Sequence, residues 1–223
     1  MNPRGAVERI KETAITVKKR GACAALALTG LFALQSCAAL SDIASVLANL
    51  QRLKFKIGSV RNFRLLGLDI SGKSKLSEFT ALDALALLNT FRAKKLPAEF
   101  ILDVLAVNPN DGTGGTSRTA STLTSLECRL LIDGHSTVTG NIDQPIEIPG
   151  TGQESVLPIR ISIDLLEFFG DTRYKDLIDL ALAIGGANRM PTRLSLDAQP
   201  TVSTPVGPMT YPGRITVVST EFR

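Results

Sequence analysis

The chain has 223 residues, one histidine, three cysteines, no tryptophan and a formal charge of +4. That excess lies in the first 36 residues, which hold six of the 25 Lys/Arg but two of the 21 Asp/Glu, so residues 37–223 carry nineteen of each and are neutral. A pI of 9.1 is therefore no sign of nucleic-acid binding, and 5% aromatics leave no basic surface interleaved with stacking side chains.

The first twenty residues set Arg4, Arg9, Lys11, Lys18, Lys19 and Arg20 against Glu8 and Glu12. The apolar run CAALALTGLFAL follows, from Cys23 to Leu34, and then Gln35, Ser36 and Cys37. Twelve residues fall short of the ~20 that a membrane-spanning helix needs, whereas a basic start, a short apolar stretch and a small residue before the cut make an export signal. The segment resembles a bacterial lipoprotein signal peptide with the lipobox LQSC. The resemblance implies cleavage between Ser36 and Cys37, acylation of Cys37, and a membrane as the first partner. Ala38 in place of aspartate favours the outer membrane, with the body facing the periplasm. Residues 1–36 are then the removed signal, 37–51 a helix-prone tether, and 52–223 one domain large enough for an aliphatic core.

Beyond the tether the hydrophobic period becomes two. Leu53, Phe55 and Ile57 alternate with Lys54, Lys56 and Gly58, which predicts a half-buried strand, and residues 62–70 read as a second. Thr80-Ala81-Leu82-Asp83 is a capping box opening a helix to about Arg92, with Leu82, Leu85 and Leu88 as its apolar positions. Phe100, Leu102, Val104 and Ala106 share a strand face that stops at Asn108-Pro109, and a Gly/Asn/Ser/Thr-rich loop follows. Leu126, Cys128, Leu130 and Ile132 point inward, which makes Cys128 an inert small hydrophobe. Asp133-Gly134 turns the chain into a partner strand over 136–141. Ile159, Ile161 and Ile163 supply another strand. A second helix spans about 171–184 and buries Tyr174, Leu177, Ile178, Ala181 and Leu182. Leu194 with Leu196, and Ile215 with Val217, close the pattern. The expectation is a mainly β protein, an antiparallel β-sandwich with two flanking helices.

The runs LPAEFILDVLAVNPN, LECRLLIDGHSTVTGN and IEIPGTGQESVLPIRISIDLLEFF resemble the late embryogenesis abundant type 2 domain, also called the water-stress-and-hypersensitive-response domain, over roughly residues 53–166. The strand entering Asn108-Pro109 and the hairpin strand ending at Gly140 carry the likeness. It implies a fibronectin-like sandwich and stress-associated or lipid-contacting roles, with no catalytic residue and no cofactor.

Gly67-Leu68-Asp69-Ile70-Ser71-Gly72-Lys73-Ser74 matches the phosphate-binding pattern G-x-x-x-x-G-K-[ST], and Asp103 at the end of Phe100-Ile101-Leu102 mimics its metal-binding partner. The polar Arg61–Arg64 stretch before it is a poor doubly buried strand, and the helix cap lies at Thr80 rather than at Gly72-Lys73-Ser74. Asn108, Asn110, Asp111 and Gly112 suggest a calcium loop, but the glycine is misplaced and the closing glutamate is missing, so they read as a surface turn. His135, beside a turn, and the outward Glu127 and Asp133 assemble neither a metal site nor an acid–base pair. Three readings follow: a non-enzymatic binding or structural lipoprotein, a carrier using a groove between the sheet and the 171–184 helix, and a nucleotide-binding protein through Gly67, Gly72, Lys73 and Ser74.

Overall fold

The inward residues of the first strand, Phe55, Ile57, Val60, Phe63 and Leu65, are spaced two, three, three and two apart. In the computed structural model, which describes residues 48–112, 118–170 and 172–223, they belong to one twelve-residue strand, β1 (Lys54–Leu65). Two register shifts, between Ile57 and Val60 and between Arg61 and Arg64, each insert an extra residue. Such bulges break the period of two without ending the strand. That corrects the expected second strand over 62–70: β1 runs through to Leu65, and only Leu68–Asp69 (β2) folds back on it.

Ten strands are described. After β1 and β2 come β3 (Pro97–Val107), β4 (Ser121–Ile132), β5 (His135–Gly140), β6 (Ile146–Ile148) and β7 (Glu154–Asp164), then β8 (Leu194–Thr204), β9 (Gly207–Thr210) and β10 (Ile215–Val217). One sheet has the order β2-β1-β3-β7 and the other β10-β8-β4-β5, with β6 beside β4 and β9 beside β8. Every pairing is antiparallel. The fold is therefore mainly β, a sandwich of two antiparallel sheets. It curls toward closure on both sides. Ile142 bridges to Ile159 of β7, and across the other seam the Ile57 amide donates to the Val218 carbonyl at 2.8 Å while Phe55 and Arg223 exchange backbone hydrogen bonds of 2.6 and 3.0 Å. Between the sheets the alternating residues named above are buried, and Leu50 joins them. The folded body thus takes in the end of the expected tether: residues 48–52 are helical, and residues 47–223 form one unit with its own core.

Three helices gather at the end of the sandwich where β1 and β7 finish and β3 begins. The first, α1 (Ala81–Arg92), starts on the expected capping box: the Asp83 amide donates to Thr80 Oγ1 at 3.1 Å, and the Thr80 amide to Asp83 Oδ2 at 3.2 Å. The second, α2 (Leu165–Phe169), is capped by Asp164, whose Oδ1 accepts from the Leu166 amide at 3.0 Å and the Leu96 amide at 2.8 Å. One carboxylate thus ties the start of α2 to the approach into β3. The third, α3 (Tyr174–Gly185), buries Leu177, Ile178, Leu180, Ala181, Leu182 and Ile184. Chain entry lies at the opposite end, where the Asn49 carbonyl accepts from Asn110 at 3.2 Å. Ala98 and Val107, paired with the two ends of β1, are nine residues apart, so the two poles are separated by roughly 30 Å at about 3.4 Å per residue.

Candidate functional site

Ser36 and Cys37 lie outside the described residues. The remaining candidates fall into four places, and the structure does not bring them together.

The phosphate-loop match folds as a hairpin turn and an irregular return. Leu66 and Gly67 have φ of 54° and 77°, the two successive positive values that a tight two-residue hairpin demands, so Gly67 serves the β1–β2 turn. Asp69 Oδ1 accepts from the Ser71 amide at 2.8 Å, and hydrogen bonds from Ser71 hold the Asp69 carboxyl below the usual carboxylate range. Lys73 donates to the Glu78 carbonyl at 3.0 Å, with its ammonium 4.9 Å from the Phe79 ring centre. The Ser74 amide donates to Glu78 Oε2 at 2.7 Å. A phosphate cradle needs free backbone N–H groups at a helix start; here the Ser74 amide is taken and residues 76–78 form a single 3₁₀ turn. Asp103 is occupied as well, accepting from Arg61 at 2.5 and 2.6 Å and from Ser59 at 2.8 Å. This buried carboxylate pins the bulged part of β1 to β3.

Asn108 and Asn110, expected in a surface turn, are buried. The correction has a clear cause. The Asn108 side chain donates to the Thr119 carbonyl (2.9 Å), the Ile148 carbonyl (3.2 Å) and Ser121 Oγ (3.3 Å). Its Oδ1 accepts from the Asn110 amide (3.1 Å) and the Asn110 side chain (2.8 Å). One amide satisfies two carbonyls and a hydroxyl, on the approach to β4 and at the end of β6, a structural staple in which burial is offset by hydrogen bonding. Pro109 follows it directly.

Gly140 ends β5 where the two sheets meet. A Cβ there would stand 2.9 Å from Ile159 Cγ2 and 3.2 Å from Ile161 Cδ1, so the close approach of β5 to β7 requires glycine. The Cys128 thiol donates to the Gly140 carbonyl at 3.3 Å, and burial pushes its pKa up to about 11. His135 packs edge-on against Phe169, ring centres 5.8 Å apart. Asp133, at φ 50°, is held by a two-pronged pair with Arg193, one arm at 2.8 Å, and these hydrogen bonds lower its pKa. Glu127 pairs with Arg214 at 3.5 Å.

The fourth place is the helical pole. The apolar face expected of α1 is reversed: Leu82 is 79% and Leu85 53% exposed, while Leu87 is buried. Phe91 lies edge-on to Tyr174 with ring centres 5.0 Å apart, so α1 touches the body through Leu87 and Phe91. Along its end and α2 runs a groove of about 810 Å³ lined by Phe91, Arg92, Lys94, Lys95, Asp164, Leu166, Glu167 and Gly170. Beneath the second helix, where a groove was expected, the end of α3 packs directly on β1, since a methyl built on Gly185 would overlap Phe63. Leu87 and Phe91, one turn apart, share the face opposite Leu82 and Leu85, and that pairing is the sequence signal for the buried side. The arrangement offers an apolar surface with a cationic margin.

No protein-family model and no curated protein matches this chain. A solved structure described as "Crystal structure of protein from Archaeoglobus fulgidus" aligns over 75% of this chain and 94% of that one, at 8% identity and a TM-score of 0.32. So loose a likeness carries no argument.

Proposed function

We propose that this chain is a lipid-anchored, non-enzymatic binding module of the bacterial envelope, cut between Ser36 and Cys37, acylated on Cys37 and facing the periplasm from the outer membrane. The anchor is supported by the basic start, the twelve-residue apolar run and LQSC. Two or more acyl chains, at about 0.8 kcal/mol per buried methylene, make such attachment effectively permanent. The observation that carries the binding role is the exposed Leu82–Leu85 face of α1, since solvent-facing leucines clustered on one helix mark interaction surfaces. The proposed kinship with the late embryogenesis abundant type 2 domain accords with an antiparallel sandwich in which Asn108 and Gly140 do structural work.

The groove beside Phe91 and Leu166 favours a second reading, carriage of a lipid or another apolar ligand. Its size falls in the range of small-molecule sites. Native mass spectrometry of the purified protein separates the two, a co-purifying lipid favouring the carrier. The anchor itself is tested with Cys37→Ser, which should leave the precursor uncut or free the body from membranes. Membrane fractionation of that variant at the mature mass would overturn it.

A further inference from the structure

We infer that the helical pole docks on an anionic lipid bilayer; the inference rests on the anchored-module reading and gives that module's exposed face a partner. The face is exposed and apolar, built on Leu82 and Leu85 and flanked by Ala86. At its C-terminal end stand Arg92, Lys94 and Lys95, all exposed. Seven of the nineteen Arg and Lys side chains among the described residues are in ion pairs. Arg92, Lys94 and Lys95 are in none of them, but it is the clustering of three unpaired cations beside exposed leucines, and not the lack of a partner alone, that marks this pole. Of the nearby carboxylates, Asp83 is engaged in the cap of α1 and Asp164 on the Leu96 and Leu166 amides, while Glu167 lines the same groove as the three cations and leaves them a net charge of +2. Leucines on a helix with a cationic collar are the chemistry of an interfacial anchor: the apolar side chains enter the acyl boundary while the cations meet phosphate headgroups.

The chain leaves α1 with the Lys95 amide donating to the Thr90 carbonyl (3.0 Å) and the Lys94 amide to the Phe91 carbonyl (2.9 Å). This double bond pattern usually places glycine at the left-handed position. Here that position is Lys94, with φ of 56°. Like Leu66 and Asp133 in their turns, Lys94 accepts a left-handed backbone in which glycine would be free of strain, and this fixes the point at which its side chain leaves the pole. The pole lies roughly 30 Å from the end where the chain enters, so this contact is separate from the acylated cysteine.

The test uses the chain from Ala38 onward, without the acylated cysteine, since residues 47–223 carry their own core. It is floated with vesicles of phosphatidylglycerol and phosphatidylcholine, or of phosphatidylcholine alone. Flotation is expected with the anionic vesicles only. Replacing Arg92, Lys94 and Lys95 by Gln should lower partitioning roughly 100-fold, and Leu82→Ser with Leu85→Ser at least about tenfold. All five side chains are exposed or half-exposed at the surface, so thermal unfolding should show the variants folded. The chain has no tryptophan, so Leu82→Trp gives a single reporter whose emission should shift to the blue on anionic vesicles, while Val156→Trp, exposed on the sheet, should not respond. Absence of flotation, flotation equal in wild type and variants, or an emission shift that follows protein concentration without lipid overturns the inference. The last outcome would assign the face to a second copy of the chain. None of these results depends on Cys37, so the anchor stands or falls separately.

Discussion

The tightest junction between helix and sheet sits at Gly185, the last residue of α3, and Gly185→Ala should weaken the fold. A new methyl would overlap Cγ and Cβ of Phe63, the root of that side chain rather than its mobile tip. Phe63 is itself buried and stacks on Phe100, ring centres 5.1 Å apart and planes 7° from parallel, so its ring has no free direction. Overpacking of this kind costs about 1–3 kcal/mol, with the backbone-rooted overlap placing it at the upper end. Alanine returns at most about 1 kcal/mol of helix propensity, leaving a net loss of about 2 kcal/mol. Urea unfolding should show a lower midpoint with an unchanged slope. Combining Gly185→Ala with Phe63→Ala, which removes Cγ and the ring, should cost less than the sum of the two, a coupling of about 0.5–3 kcal/mol. A Gly185→Ala protein as stable as wild type would refute the packing described here.

Asn108→Ala should destabilise by about 2–4 kcal/mol, because it strands buried carbonyls that accept from the Asn108 amide; an equilibrium denaturation curve matching wild type would deny the staple its role. Asp133→Asn keeps the left-handed turn preference but loses the charge facing Arg193. Since Asp133 has a folded pKa below its unfolded value, its contribution is complete above the ordinary carboxylate value of about 3.9 and disappears as pH falls through the lower folded value. Wild type should therefore exceed the variant in stability at neutral pH and converge with it in acid; a gap independent of pH would contradict this. The Cys128 thiol, buried and shifted up to about 11, should resist thiol reagents at pH 8 in the folded protein and react at the unfolding rate. Lys94→Gly should raise stability by about 1 kcal/mol by relieving the left-handed lysine while weakening vesicle binding, and loss of stability would remove the strain argument.

Regular alternation made most strands legible: Phe100 to Ala106, Leu126 to Ile132 and Ile159 to Ile163 are inward as their period implies. The capping box located α1 because its two hydrogen bonds are local. What stayed hidden depended on distant partners. The bulges of β1 belong to its pairing with β3, the burial of Asn108 depends on carbonyls at 119 and 148, and the outward turn of Leu82 depends on where α1 rests. The short helix α2 was missed because Leu165–Phe169 has a single polar residue, Glu167, and so no readable period, and its cap bonds are shared with Leu96. Residues 52–95 hold ten Lys/Arg against Asp69, Glu78 and Asp83, but composition does not show that Arg92, Lys94 and Lys95 gather beside the exposed leucines; that required the fold.

The central proposal, a β-sandwich fixed to the envelope through one modified cysteine, is tested most directly by the mass of the protein extracted from the membranes of an expressing bacterium. Removal of residues 1–36 and an added mass of acyl chains on an N-terminal Cys37 peptide are the predicted result. A full-length chain with the leader attached and a free thiol at Cys37 would contradict it.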